Sequence, residues 1–164
     1  MFGLSLKDRA AEALKRGTKA ALIGGFFHIT DVAKFGLNEN AAGYLYTEAQ
    51  AHQIYILTVI FQHTLANEKS WATPAFAIKA INDAATDFEL EHSVSPGSIS
   101  SFVFRRCTEM DNLTPQERVD GRHFSQSAER IIERDPAANK QAIVRALESA
   151  TRDFFDHAVR MFRT

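Results

Sequence analysis

Every proline in this chain follows a residue that can cap a helix: Thr73-Pro74, Ser95-Pro96, Thr114-Pro115 and Asp135-Pro136, four pairs in all. Proline is tolerated at the first helical position, where the missing N–H would have no partner anyway, and the side-chain oxygen before it accepts from a free amide of the first turn. Four helix starts are therefore expected. Glu117 completes a Thr-x-x-Glu capping box at the third. A chain punctuated in this way is committed to helices.

The longest interval without Gly or Pro runs from Tyr44 to Thr73. Its middle, Ile54-Tyr55-Ile56-Leu57-Thr58-Val59-Ile60-Phe61, has strand propensity, but its alanine-rich flanks and its length favour helix. A helix apolar on nearly every side must be enclosed by others, so Tyr44 to Ala66 is expected to be the central post, capped by Asn38 or Asn40. One strip of it is polar. Glu48, His52, Tyr55 and Gln62 fall together on a helical wheel, with His63 at the margin. That strip is either the one face left to water, toward which the sequence leans, or the lining of an internal site.

In chain order, Ser5 and Asp8 open a first helix that Gly24-Gly25 ends, and Gly17 weakens its middle. Phe26 to Phe35 reads as a short second helix or an irregular turn. After the central helix come Pro74 to His92, Pro96 to Met110 and Pro115 to Arg134, the last interrupted by Gly121. Pro136 to about Arg163 carries the cleanest stripe: Ile143, Leu147, Ala150, Phe154, Ala158 and Met161. No repeat or linker divides residues 1–164. The fold class is all-α: a single compact bundle of six or seven helices, with a buried central helix and a long amphipathic C-terminal helix along it.

A length of 164 residues suffices to bury roughly 68–70% of the surface an unfolded chain would expose. Formal net charge is -1, so no global field recruits nucleic acid. Cys107 is the only cysteine, which excludes an intrachain disulfide and fits a reducing cytoplasm. No stretch reaches the ~18 uninterrupted apolar residues of a membrane span. The basic start of the chain (Lys7, Arg9, Lys15, Arg16, Lys19) has the make-up of a membrane-surface helix, but Asp8 and Glu12 dilute it, and an ordinary packed helix is the expectation.

Candidate chemistry is sparse. Glu48 and His52 are four apart, as are Asp153 and His157, and the four together would give nitrogen and oxygen ligands for iron, manganese or zinc between two helices. A hydrogen-bonded pair, with His52 satisfied by Glu48, is the commoner outcome of that spacing. Glu89-Leu90-Glu91-His92 contains one Glu-x-x-His, whereas di-iron bundles require two copies plus further carboxylates. His52, His63 and His92 are the candidate axial ligands should haem be held. Cys107 reads as a core thiol. No nucleophile elbow and no phosphate-binding loop is present, so no catalytic residue is assigned.

Arginine replaces lysine along the chain: six Lys and two Arg precede Pro96, one Lys and ten Arg follow it. Arg106, Arg118, Arg122, Arg130 and Arg134 have the chemistry of a carboxylate site. Interleaved Glu109, Glu117, Asp120, Glu129 and Glu133 instead suggest a solvated face of mixed charge. The functional expectation is a small intracellular helical binding or regulatory module without catalysis or cofactor. It would act on a protein partner or small ligand through Glu48, His52, Tyr55 and Gln62, and a two-fold helical homodimer is compatible with its phenylalanine content. The alternative is a metal-binding bundle using Glu48, His52, Asp153 and His157.

Overall fold

The computed structural model describes residues 3–24, 35–65 and 69–163. Among these there are seven helices: α1 Leu6–Ile23, α2 Glu39–Leu65, α3 Pro74–Glu91, α4 Ser100–Asp111, α5 Pro115–Val119, α6 Arg122–Ile132 and α7 Lys140–Arg163. The segment Phe26 to Phe35, with His28 and Asp31, lies outside the described residues except for Phe35. The all-α bundle expected from the sequence is what forms.

Two of the four proline pairs start helices as anticipated. Thr73 accepts from the Phe76 amide ahead of Pro74, and Thr114 and Glu117 close the capping box ahead of Pro115. The other two helices begin four residues late, α4 at Ser100 and α7 at Lys140. After Ser95-Pro96, Gly97 adopts φ +82, a left-handed conformation that cannot continue a right-handed helix. The cap for α4 comes instead from the end of α3: the Glu89 carboxylate accepts from the amides of Gly97, Ile99 and Ser100. Burial alone would raise the pKa of Glu89, yet the Ser100 and Gly97 amides outweigh it and hold the carboxyl below its usual range. At Asp135-Pro136 the carboxylate is taken by the Asn38 amide at 2.9 Å, so Asn139 caps α7, accepting from Ala142 at 3.0 Å.

Asn38 itself caps α2, accepting from the Ala41 amide at 2.8 Å. Five consecutive residues of α2, Ala51 to Tyr55, are all buried, and five residues at 100° each sweep the whole circumference of a helix. The helix is thus enclosed on every side at its middle. Its N-terminal half joins a cluster of Ala41, Leu45, Ala128, Ile131, Ile143 and Leu147, contributed by α2, α6 and α7. Its C-terminal half joins a larger cluster that includes Leu14, Leu57, Phe61, Ile81, Val103, Cys107 and Phe154. Helix α7 packs along α2, and α1 lies against α3, α2 and α7. The apolar face of α1 (Ala10, Ala13, Leu14, Ala21, Leu22) is buried in these contacts. No described helix is long and apolar enough to cross a membrane.

Candidate functional site

Glu48 and His52 do not face water. Glu48 is fully buried and His52 is 2% exposed, because the polar strip of α2 is turned toward α4 and α6. A buried carboxylate needs a counter-charge and hydrogen-bond donors, and both come from residues distant in sequence. Arg106 of α4, itself 4% exposed, donates from Nε to Glu48 Oε1 at 2.9 Å. Arg130 of α6 lies 3.8 Å from the same oxygen. Ser127 donates from Oγ to Glu48 Oε2 at 2.7 Å. Glu109 completes the network, accepting from Arg106 and from Arg130 Nη2 at 2.8 Å, while Arg106 Nη2 donates to the Tyr44 hydroxyl at 2.9 Å.

Two guanidiniums and two carboxylates therefore balance, and three helices are tied together. The expectation of a solvated mixed-charge face is corrected for Arg106 and Arg130. They do form a carboxylate site, but the carboxylates belong to the chain. Arg134 stacks over the Tyr44 ring at 3.5 Å, Arg122 is exposed, and Arg118 takes a separate role.

The pairing of His52 also differs from the expectation. Its Nε2 meets Ser127 Oγ, not Glu48, at 2.8 Å. Since the single hydroxyl hydrogen of Ser127 points to Glu48, the imidazole supplies the hydrogen of that contact, which fixes the Nε2–H tautomer. The ring stacks on Phe124 at 4.7 Å and lies 5.4 Å from the ring of His123. Burial, then the positive neighbours His123, Arg130 and Arg106, hold His52 well below the usual histidine range. The order Glu48–Ser127–His52 leaves the fully buried hydroxyl between acid and imidazole, rather than exposing a nucleophile activated by the base.

His52 and Tyr55 form one wall of a cleft of about 260 Å³, which Ile56, Val59, Arg118, Val119, His123 and Thr151 complete. Helices α2, α5, α6 and α7 all contribute. The Tyr55 hydroxyl accepts from Arg118 Nη1 at 3.2 Å and donates to the Met110 carbonyl at 3.4 Å. Burial raises its pKa, against the opposing pull of Arg118, with Asp111 adding to the rise. Burial, followed by the charge of Arg118, pushes His123 down to about 4. Both imidazoles are neutral at pH 7. His123 Nδ1 is a buried nitrogen without a hydrogen-bond partner, an arrangement that native proteins rarely leave unexplained.

Of the strip read from sequence, His52 and Tyr55 line the cleft and Glu48 sits behind it. Gln62 is half-buried and lies outside the cleft, and His63 is exposed. Asp153 is exposed, and His157 packs beside Phe154 at 6.0 Å. Among the described residues no three His, Cys, Asp or Glu side chains converge on one point, so Glu48, His52, Asp153 and His157 are not brought together as ligands. His92 is exposed, and its ring stacks on Phe88 at 3.9 Å. Cys107 is fully buried, its thiol pushed up to about 12 by burial and by Asp111.

Sequence reading missed Ser127 and His123, and misplaced Arg106. Two of these left a signal. Arg106 falls at helical spacing with Val103, Cys107 and Met110, and Ser127 lies beside Ala128 on the stripe of Phe124 and Ile131. A polar group on an apolar stripe requires a buried partner.

No known protein family matches the chain, and comparison with curated proteins and with solved structures finds no significant match.

Proposed function

We propose that this protein is a small-ligand-binding helical module whose site is the cleft between α2 and α5–α6, and that its ligand is a small, partly apolar anion. The observation that carries the reading is Arg118. It is a partly buried guanidinium in the cleft wall that makes no ion pair among the described residues, one of its nitrogens being held by Tyr55. Its neighbours in the wall are two neutral imidazoles and the apolar side chains Ile56, Val59 and Val119. A concave, mostly apolar site with a few convergent polar groups and perturbed pKa values is the usual form of a ligand pocket. At about 260 Å³ it falls just below the roughly 300–1,000 Å³ of pockets for drug-sized molecules. The occupant is thus the size of one ring with a short acidic group.

A titration with benzoate and with neutral benzamide, followed by amide NMR shifts, tests the reading. Benzoate is expected to move the signals of Tyr55, Arg118 and His123, benzamide is not, and Arg118→Gln is expected to abolish the response. A cleft indifferent to every member of an aryl-carboxylate panel, or one that binds benzoate equally well as Arg118→Gln, overturns it.

A further inference from the structure

On the surface of α7 one stripe is only partly covered by the fold, with Arg152, Phe155 and Arg163 exposed and Glu148, Val159 and Phe162 half-buried. Glu148, Arg152, Phe155, Val159 and Phe162 follow one another at three- and four-residue spacing, Arg163 lies four beyond Val159, and Phe155 is 42% exposed. Two grooves flank that phenylalanine and both have it in their walls. One, of about 430 Å³, runs between Val59, Ile60 and His63 of α2 and Val159 and Phe162 of α7. The other lies between Ile56, Phe124 and Arg152. The face thus carries one apolar ridge with a hollow on each side. A ridge next to a hollow is self-complementary under a two-fold rotation, the symmetry that places the same patch on both subunits.

The charges at the ends of the stripe agree with that operation. Glu148 stands at one end and Arg163 at the other, and neither makes an ion pair among the described residues. If two α7 helices run antiparallel about an axis between Phe155 and Asp156, residue 148 of one copy faces residue 163 of the other, twice over. The ends lie about 22 Å apart at 1.5 Å per residue, with the two phenylalanines at the centre. An acidic or basic peptide would satisfy only one end.

We infer that this face of α2 and α7 seats a second copy of the same chain, ridge into hollow, with reciprocal Glu148–Arg163 pairs. The inference does not depend on the ligand reading, although the shared residues Ile56 and Val59 place the interface beside the cleft.

Sedimentation equilibrium on the full chain tests it. A concentration-dependent dimer is expected, lost in Phe155→Asp, whose circular dichroism stays that of the parent because the site is partly exposed. Glu148→Arg and Arg163→Glu are each expected to weaken association about tenfold through like-charge contacts, and the double exchange to restore it to within a few-fold. A monomer at every concentration up to the millimolar range overturns the inference. So does a dimer untouched by Phe155→Asp, or a double exchange no better than either single one.

Discussion

At the scale of single residues, what matters most is that Glu48 and Arg106 are buried together. Breaking a buried pair from one side strands a charge and costs about 3–5 kcal/mol, whereas exposed pairs contribute about 0–1 kcal/mol. Arg106→Met is therefore expected to lower stability by about 3–5 kcal/mol in urea denaturation, and adding Glu48→Gln should recover much of that loss. Removing the exposed Lys79–Asp83 pair, 2.7 Å apart, should change little. If the double variant were as unstable as Arg106→Met alone, the stranded-charge account would fail. The sequence marked Glu48 and His52 as one face of α2 because their spacing is local. It did not reveal their partners, since Arg106 and Ser127 lie 58 and 79 residues further on and no periodicity connects such distances. It leaned toward water because carboxylates and imidazoles usually seek it.

At the scale of elements, Gly17 shows how tertiary packing overrides propensity. As a helix interior residue it costs α1 about 1 kcal/mol relative to Ala. A Cβ there, however, would come within 2.7 and 2.9 Å of the Leu57 methyls and 3.3 Å of the Met161 sulfur. Leu57 is wholly buried, so it has no open direction in which to retreat. Gly17→Ala is expected to destabilise by up to about 2 kcal/mol, because overpacking of roughly 1–3 kcal/mol exceeds the propensity gain. Combining it with Leu57→Val should restore thermal stability relative to Leu57→Val alone; continued loss in that background would place the strain elsewhere. The helices themselves were readable, because capping residues and prolines act within a turn. The late starts of α4 and α7 were not. They depend on the left-handed Gly97, on Glu89 reaching across from α3, and on Asp135 being diverted to Asn38.

At the scale of the whole molecule, the two low-lying imidazoles set the response to acid. His52 and His123 are neutral when folded and take up protons when unfolded. Their contribution is therefore intact above the unfolded value near 6.5 and is lost as pH falls from there toward the folded values, about 4 for His123. Urea midpoints are expected to fall steadily between pH 6.5 and 4, with proton uptake on unfolding that approaches two per molecule, and His123→Phe should lessen the slope. A flat profile over that window would mean that the rings are already solvated. The same continuity that makes α2 the post limits how the cleft can admit anything. Without Gly or Pro from Tyr44 to Leu65, α2 runs unbroken through both apolar clusters, and neither can swing on the other like a jaw. The least buried wall of the cleft is α5, five residues with none buried, joined to α6 through Gly121 at φ +71. Any widening of the cleft is thus expected to come from a single short turn of helix carrying Arg118 rather than from α2.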